Sequence, residues 1–402
     1  MLTNGEIPAA ARVLVLSGDL GDGHRQAARA LAETCGEGLA DRVRAEVIDF
    51  MQEVYPYLHP MVKYCFMKGV EKVPSVYGYL YRKTRRKEAM PIPFKTFLSL
   101  GLSRFLTLLE EKKPDIIVCT FPLAAAAVSL LKEKGAVSTP LVTVITDHTD
   151  HSLWLQPHTD LYLVGSEQVA AALRLHGVSS SRVRVTGIPV RSRFSESFDR
   201  VRLCQSFGLD PQRPVVLVMG GGSGMLDESV RSLIRSTSLL ERLQLVVICG
   251  SNAAVREELE AELQEHPTNR VIVKGFVEEI HEWMAVADLL VTKPGGLTTA
   301  EAVAVGLPML LYKPIPGQEE DNAAVLEKAG VAIRATAGRT LQDQLLELAD
   351  NRLALAAMKG RARQFRRQRP TEQAWDAIMH LQQTASSVRQ AWQATTTIRE
   401  AW

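Results

Sequence analysis

The chain has 402 residues, of which 46% are hydrophobic, and its formal net charge is +2 at pH 7. This length allows two hydrophobic cores and predicts two domains rather than one. So small a net charge excludes nucleic-acid binding through the charge of the whole molecule, and any affinity for anions must come from a local patch.

Cysteine usage and hydropathy indicate the cellular compartment of the protein. The five cysteines, Cys35, Cys65, Cys119, Cys204 and Cys249, lack metal-type spacing, which indicates a reducing compartment. No apolar run reaches the roughly 18 residues that a membrane-spanning helix needs, and the amino terminus lacks a signal-peptide pattern. We therefore expect a cytoplasmic protein that is soluble or lies on the cytoplasmic face of the cell membrane.

Short apolar runs alternate with amphipathic helical stretches in both halves, which is typical of parallel sheets covered by helices. The predicted strands are Val13–Leu16, Ala45–Ile48, Ile116–Cys119, Leu141–Ile145, Leu161–Val164 and Val183–Thr186 in the first half, and Val215–Met219, Leu245–Cys249, Val271–Val273, Leu289–Val291 and Met309–Tyr312 in the second. The fold class is therefore α/β, with two doubly wound, Rossmann-like domains and a ligand cleft between them.

The predicted boundaries follow composition. The first domain spans residues 1–195 and the second spans 214–372, and the charged, Ser- and Pro-containing stretch 196–213 is interpreted as a linker. Residues 373–402 are predicted to be helical and are candidates to cross back to the first domain.

The first predicted strand ends in a glycine-containing loop that leads into a helix through Gln26–Glu33. The spacing of a dinucleotide-binding loop is absent, and Asp19 and Asp22 would repel a pyrophosphate. Gly23 and His24 lie at the start of the helix, at the cleft end of the sheet. An imidazole there can take a proton from an attacking hydroxyl near neutral pH. A structural histidine that hydrogen-bonds the loop is the alternative.

The stretch from Tyr55 to Phe97 is the predicted membrane contact. Between positions 63 and 95 it carries nine basic residues against two acidic ones, interleaved with aromatic residues. Basic side chains are attracted to anionic headgroups, and aromatic rings settle at the bilayer interface. The residues assigned to this contact are Tyr64, Phe66, Tyr81, Arg82, Arg85 and Arg86. A solvated basic face with core aromatics, or an RNA-binding surface, is the alternative.

A polar cluster, Thr146–Trp154, follows another predicted strand and holds two carboxylates and two imidazoles within a few residues. Asp147 is predicted to orient a neighbouring base or hydroxyl on the acceptor side, and Trp154 to contact the acceptor or the membrane. Metal ligation is an alternative for this cluster, but the run lacks sharp ligand spacing, and we expect no metal site.

Two glycine turns follow strands of the second half. Gly220–Gly224 comes first, and Gly295 and Gly296 later open a helix whose backbone N–H groups are available for a diphosphate. The backbone around Val277, after another strand, is placed to pair with the edge of a uracil ring. Each of these segments, taken alone, is also typical of an ordinary strand-to-helix turn.

Polar residues follow the second glycine turn. Glu301 lies about one turn into the helix, where its carboxylate can accept hydrogen bonds from two ribose hydroxyls. Thr298, in the first turn of this helix, is assigned to the same donor site, and a capping box formed by Thr298 and Glu301 is the alternative. Downstream, Gln318, Glu319 and Asn322 lie in a polar loop that suits sugar hydroxyls, or that is a solvated acidic loop.

The region Lys274–Asn322, together with Gly220–Gly224, resembles the donor half of the inverting glycosyltransferases with the two-domain GT-B fold, a group that includes the enzyme forming lipid II. The Pro-Gly-Gln-Glu stretch and the amino-terminal half are most similar to the monogalactosyldiacylglycerol synthase and processive diacylglycerol glucosyltransferase family. This similarity covers nearly the whole chain.

The resemblance implies roles for individual residues. Uracil would lie near Val277, ribose on Glu301, the phosphates near Gly222, Ser223 and Gly296, and the hexose against Gln318 and Glu319. The family's glycine-rich loop ends in a histidine thought to act as general base, and that position is His24. Asp22 departs from the Gly or Asn often seen between the two glycines of this loop.

The implied activity is that of a peripheral membrane glycosyltransferase. It would move a hexose, with glucose favoured and galactose possible, from a UDP-sugar to 1,2-diacylglycerol with inversion, giving a β-glycosyl diacylglycerol. Anionic membrane lipids are the expected partners, nucleic acid is not, and no cofactor is expected besides the UDP-sugar substrate. The alternatives are a UDP-N-acetylglucosamine transferase acting on a prenyl-linked cell-wall intermediate, and a non-catalytic UDP-sugar sensor.

Overall fold

The computed structural model describes residues 10–85, 92–222, 224, 226–336 and 338–400, with side chains except at 71, 92–94 and 388–400. The chain divides into two units, Met1–Arg191 with Arg369–Trp402, and Ser192–Gln368. The predicted linker 196–213 therefore belongs to the second unit. It contains the helix Arg200–Ser206, and the next residue, Phe207, stacks on the Trp283 ring at 4.0 Å. Charge and Ser content did not distinguish this packed surface helix from a linker.

The described part of the first unit contains a six-stranded parallel sheet. Its strands are β1 (Ala11–Ser17), β2 (Val43–Asp49), β3 (Ile116–Cys119), β4 (Leu141–Val144), β5 (Leu161–Val164) and β6 (Val183–Val185). The strand order is β2-β1-β3-β4-β5-β6, so the direction of winding reverses between β1 and β3. In doubly wound sheets such a reversal, at the carboxyl ends of the strands, is where ligands bind.

Helices cover both faces of this sheet. They are α1 (Asp22–Gly38), α2 (Phe50–Val54), α3 (His59–Lys72), α4 (Pro74–Thr84), α5 (Ile92–Lys112), α6 (Pro122–Glu133), α7 (Glu167–Leu175) and, from the end of the chain, α17 (Pro370–Glu400). On one face Val15 packs with Leu31 and Trp375, and the Trp375 indole N–H donates to the Leu31 carbonyl at 2.9 Å. Leu16 and Phe105 pack on the opposite face. The carboxy-terminal helix thus completes the core of the first unit.

The second unit contains a second six-stranded parallel sheet in its described residues. The strands are β7 (Val215–Met219), β8 (Gln244–Ile248), β9 (Val271–Lys274), β10 (Leu289–Thr292), β11 (Met309–Leu311) and β12 (Ala332–Arg334). Their order, β12-β11-β10-β7-β8-β9, reverses between β7 and β10. The two glycine turns follow these two strands, so both lie at the switch point of the sheet.

The helices of the second unit are α8 (Arg200–Ser206), α9 (Glu228–Arg235), α10 (Thr237–Leu240), α11 (Ala253–Glu265), α12 (Ile280–Val286), α13 (Gly296–Val305), α14 (Gln318–Lys328), α15 (Leu341–Asp350) and α16 (Arg352–Phe365). Leu289 and Val291 of β10 pack on one face with side chains of α9, α10 and α15, including Leu233 and Leu345.

The α/β prediction with two doubly wound sheets is confirmed, and all eleven predicted strands match observed strands to within two residues at either end. The strand that the prediction missed is β12. It has only three residues, and Ile333 at its centre is 40% exposed, so it carries no continuous apolar run.

Candidate active site

His24 lies at the switch point of the first sheet. Because α1 begins at Asp22, Gly23 and His24 occupy its first turn, directly after the loop that follows β1. The hydroxyl of Thr120, just after β3, donates to the His24 carbonyl at 2.9 Å, and the Phe121 ring packs edge-on at 5.3 Å from the imidazole. The two strands at which the winding reverses therefore jointly hold this histidine.

The ring of His24 has a defined orientation. Its Nδ1 lies 3.0 Å from the Thr146 hydroxyl, and the Trp154 ring lies 5.8 Å away on another side. Although part of the side chain reaches the surface, burial lowers the pKa of His24, and the negative charge of Asp147 opposes this shift only in part. The imidazole is therefore neutral at neutral pH. If Nδ1 donates to Thr146, Nε2 carries the lone pair that a general base needs.

Two residues of the loop after β4 act on the His24 ring. The Thr146 hydroxyl, which was not predicted, lies within hydrogen-bond distance of the ring, the charge of Asp147 raises the pKa of His24, and the orienting role of Asp147 stays a prediction. Thr146 lies two residues beyond β4, and a hydroxyl at that position was the available sequence signal. Trp154 is only 4% exposed, which places it away from a membrane surface, and its contact with the acceptor stays a prediction. It packs beside His24.

The other polar side chains of the Thr146–Trp154 cluster have separate partners. His148 Nδ1 lies 3.3 Å from the Ser166 hydroxyl, Asp150 accepts from His176 at 3.1 Å, and His151 Nε2 lies 3.1 Å from the Thr84 hydroxyl. Within the described ranges, these imidazoles and carboxylates do not converge on a common point suited to a metal ion. The cluster anchors its loop to the surrounding helices.

Two residues assigned to the membrane contact belong to this anchor. The Tyr81 hydroxyl lies 2.6 Å from that of Thr149, and its ring lies 4.3 Å from the His151 ring. Arg85 donates through Nε to Asp150 at 2.9 Å. Both side chains are half-buried and hold the end of α4 against the loop after β4, and their assignment to a membrane surface stays a prediction.

Exposed large hydrophobic side chains instead concentrate on and around α3 and α4. Of the fifteen large hydrophobic side chains that are exposed among the described residues, nine fall between positions 57 and 100: Tyr57, Leu58, Met61, Tyr64, Val73, Val76, Tyr79, Leu80 and Leu100. We call these nine residues the apolar face. Val73, Val76 and Leu80 are spaced so that they share one side of α4. This concentration distinguishes the segment from the rest of the surface.

The remaining residues of the predicted contact differ in exposure. Tyr64 is 65% exposed and Arg82 is exposed, whereas Phe66 is half-buried and packs edge-on to the Tyr77 ring at 6.0 Å. Arg86 lies outside the described residues. No helix within the described ranges combines the length and apolar character that crossing a bilayer requires.

The two acids of the loop after β1 are neutralised locally. Asp19 accepts hydrogen bonds from His59 Nε2 and Lys63 Nζ, both at 2.6 Å and both from α3. Burial alone would raise the pKa of Asp19, but these partners hold it below its ordinary value. Asp22 pairs with Arg25 at 2.7 Å. The loop that leads to His24 is therefore tied to the first helix of the apolar face.

In the second unit, the turn after β7 interlocks with the turn after β8. The carbonyl of Gly222 accepts from both the backbone N–H and the hydroxyl of Ser251 at 3.0 Å, and Asn252 donates to the Gly224 carbonyl at 3.2 Å. Gly224 has φ +59°, and an added Cβ would lie 1.8 Å from the Cys249 carbonyl. Ser223 lies outside the described residues. Ser251 and Asn252 were not predicted, because they are distant in sequence from the turn that they hold.

The second glycine turn begins α13. Gly295 is its N-cap and supplies no side-chain cap, and Gly296 is its first residue, so the first N–H groups of the helix lack a capping side chain. Thr298 lies at the third helical position and Glu301 at the sixth. The capping-box alternative for Glu301 is therefore wrong, because such a box requires the third position. Glu301 is half-buried, one and a half turns into the helix.

The predicted polar loop is the start of a helix. α14 begins at Gln318, after Gly317 with φ +118°, and Glu319 turns back to accept from the Ile315 N–H at 2.7 Å. Asn322 is fully buried and donates to the Pro294 carbonyl at 2.9 Å, so it ties α14 to the loop after β10.

Val277 lies in the loop between β9 and α12 and is half-buried. This loop follows the edge strand of the sheet, three strands from β10. Strands are spaced by about 4.8 Å, so along the carboxyl edge the predicted uracil position lies about 10 Å from the turn after β7 and about 14 Å from the turn after β10.

Comparison with known proteins identifies the family. Residues 24–190 match the family model for monogalactosyldiacylglycerol (MGDG) synthase, and residues 215–373 match that for the glycosyltransferase family 28 C-terminal domain. The chain is 34% identical over 323 residues to a processive diacylglycerol beta-glucosyltransferase of Bacillus mycoides, covering 80% of this chain and 81% of the relative. The chain belongs to the processive diacylglycerol beta-glucosyltransferase family.

Two further comparisons agree with this assignment. The family member from Bacillus subtilis strain 168 is 34% identical over 351 residues, covering 87% of this chain and 89% of the relative. Among solved structures, MurG of Acinetobacter baumannii aligns with a TM-score of 0.58 and 17% identity, over 92% of this chain and 99% of that one. The resemblance stated from sequence and its GT-B fold are therefore confirmed.

Proposed function

We propose that the chain transfers glucose from UDP-glucose to the free hydroxyl of 1,2-diacylglycerol, with inversion, and so makes a β-glucosyl diacylglycerol. Its relatives are processive diacylglycerol beta-glucosyltransferases, which supports the acceptor and the linkage, and the family 28 match of the second unit supports a nucleotide-sugar donor. Galactose remains the second candidate hexose.

The observation that carries the chemistry is the neutral, oriented imidazole of His24. In the proposed reaction Nε2 takes the proton of the diacylglycerol hydroxyl, and the hydroxyl oxygen attacks the anomeric carbon on the face opposite the diphosphate. The bond from that carbon to the phosphate oxygen breaks, and its electron pair leaves with UDP. Thr146 holds the ring, and Asp147 stabilises the imidazolium that forms.

The donor is assigned to the carboxyl edge of the second sheet. In this proposal Glu301 accepts from the ribose hydroxyls, the backbone near Val277 pairs with uracil, and Gln318 and Glu319 contact the hexose. The N–H groups at Gly222 and Gly296 stabilise the departing diphosphate without a metal, as fixed dipoles stabilise charge that develops in a transition state.

The apolar face is the proposed membrane contact, with anionic lipids as partners. It carries exposed tyrosines, and the exposed cations Lys72, Arg82 and Lys83 lie on the same two helices. Each such cation is worth about 1 kcal/mol near an anionic surface. The protein is thus assigned to the cytoplasmic face of the membrane as a peripheral enzyme.

The activity is tested by mass spectrometry of lipid products. Purified protein is incubated with diacylglycerol in vesicles and, separately, with UDP-glucose, UDP-galactose and UDP-N-acetylglucosamine. A monohexosyl diacylglycerol from UDP-glucose is the expected product. Transfer only from UDP-N-acetylglucosamine to an added prenyl-linked acceptor would replace the proposal with the cell-wall reaction, and binding of UDP-sugar without any lipid product would make the protein a sensor.

The membrane contact is tested by vesicle sedimentation. Replacement of Tyr64 and Tyr79 by Ser is expected to reduce binding to phosphatidylglycerol vesicles severalfold, because both exposed rings are lost. Leu175→Ser and Leu353→Ser serve as matched controls, since these side chains are 90% and 85% exposed outside the apolar face. An equal reduction by the controls would contradict the assignment.

A further inference from the structure

Lys293 is a cation at the switch point of the second sheet. It directly follows β10, between the turn after β7 and the loop after β11, and its carbonyl accepts from the Gly295 N–H at 2.8 Å. Its side chain is half-buried. Cations that precede a glycine turn at the start of a helix are suited to bind an anion there, because the helix dipole adds to their charge.

Two carboxylates near Lys293, those of Asp227 and Glu319, also bind other groups. Lys313 and Tyr312 both bond to Asp227, whose carboxylate also caps α9 by accepting from the Ser229 N–H at 3.1 Å. Glu319, the other nearby carboxylate, accepts from a backbone N–H of its own loop. Burial lowers the pKa of Lys293, and these two carboxylates oppose the shift.

A second donor lies at the same strand end. Thr292 is 2% exposed, and its hydroxyl has no hydrogen-bond partner within the described ranges. Because successive side chains of a strand point to opposite faces of the sheet, the Thr292 side chain points away from the face on which Val291 packs against α9. A buried hydroxyl without a partner is costly, so an acceptor for the Thr292 hydroxyl is expected at this strand end.

We propose that Lys293 binds the diphosphate of the nucleotide sugar and stabilises the negative charge that develops as UDP departs. The proposal rests on the proposed function and adds Lys293 to the residues predicted to bind the phosphates. The helix N-terminus contributes only about half an elementary charge. A lysine at the same strand end supplies a full one, and it balances the leaving group without a metal.

Direct binding of UDP and of uridine tests this role in three variants. Lys293→Gln removes the charge, Lys293→Arg retains it, and Lys328→Gln makes the same charge change on an exposed residue at the far end of α14. We expect Lys293→Gln to weaken UDP binding at least tenfold and uridine binding less than twofold, with Lys293→Arg close to wild type and Lys328→Gln unchanged. Equal weakening of UDP and uridine, or no weakening of UDP, would overturn the proposal.

Turnover separates this inference from the function on which it rests. Loss of a single donor to a developing oxyanion typically lowers kcat by about 10²–10³. We therefore expect a fall of that size in glycolipid synthesis by Lys293→Gln at saturating UDP-glucose. If the wild type makes the glycolipid and Lys293→Gln has the same kcat, only the role of Lys293 is overturned. If Lys293→Gln weakens UDP binding but the wild type makes no glycolipid, only the proposed function is overturned.

Discussion

Acid should destabilise the first unit through one buried histidine. His148 is 6% exposed, and burial lowers its pKa to about 4 from an ordinary value of 6.5. Because the folded protein binds this proton less readily than the unfolded chain, the neutral ring favours folding above pH 6.5, and that advantage is lost as the pH falls. His148 lies in the loop that carries Thr146 and Asp147, so this loss affects the environment of His24.

The magnitude follows from the size of the shift. Each pKa unit corresponds to 1.36 kcal/mol, so the shift amounts to about 3 kcal/mol once the pH is below 4. Integrated between the two pKa values, about 2 kcal/mol is already lost on moving from pH 7 to pH 5. His148→Gln keeps a polar partner for Ser166 but cannot titrate, and it should show none of this loss.

The assay compares the wild type with His148→Gln at pH 7 and pH 5 and equal ionic strength. Because the chain has two units, hydrogen exchange of the β4 and β5 amides is used to follow the opening of the first one. From pH 7 to pH 5, the opening free energy of the wild type should fall by about 2 kcal/mol relative to that of His148→Gln. Thr143→Val, which removes a buried hydroxyl 3.1 Å from that of Thr159, is the non-titrating control and should differ from wild type equally at both pH values. A constant difference for His148→Gln as well would refute the reasoning.

Three further substitutions test the supports of the two sites. Asp19→Asn removes the charge in two hydrogen bonds to α3 and should lower the free energy of unfolding by about 2 kcal/mol at pH 7. Because the pKa of this carboxyl is lowered in the folded protein, the effect should shrink near pH 3, and an equal effect at both pH values in urea denaturation would contradict this. Trp375→Phe removes the indole N–H bond to the Leu31 carbonyl, which keeps its bond from the Cys35 N–H within α1, and should cost about 0.5–1.5 kcal/mol in the same assay, whereas an unchanged midpoint would show that the indole N–H contributes nothing. Gly224→Ala should destabilise the protein and weaken UDP binding in calorimetry far more than Gly221→Ala, which has φ +72° but open space at the added Cβ. Similar losses in the two variants would mean that the positive φ, and not the contact of the added Cβ with the Cys249 carbonyl, causes the destabilisation.

Features that depend on neighbouring residues in sequence were predictable. The strands of both sheets are apolar runs bounded by turns, and His24 follows a glycine-containing loop that ends such a run. The topology then brings β1 beside β3 and β7 beside β10, which are the switch points where doubly wound sheets bind ligands. Both candidate sites could therefore be placed from local patterns and a general rule of the fold.

Features that depend on contacts between distant segments were not predictable. Arg85 belongs to a basic run, and only the fold shows that it is paired with Asp150, 65 positions away. Ser251 holds the turn at Gly222, 29 positions away, and no local pattern marks that contact. The buried amide of Asn322 looks like a solvated loop residue in the sequence. In each case the tertiary structure decides whether a polar side chain faces solvent or a partner.

The central claim is that His24 is the base of a glucosyl transfer to diacylglycerol, and the most direct test measures glucosyl diacylglycerol synthesis by His24→Ala beside the wild type. Loss of a general base should lower kcat/KM by about 10²–10⁴ while UDP binding is unchanged. The acid limb of the wild-type profile should have its midpoint below pH 6.5, because the pKa of His24 is lowered. Wild-type synthesis rates in His24→Ala would contradict the account.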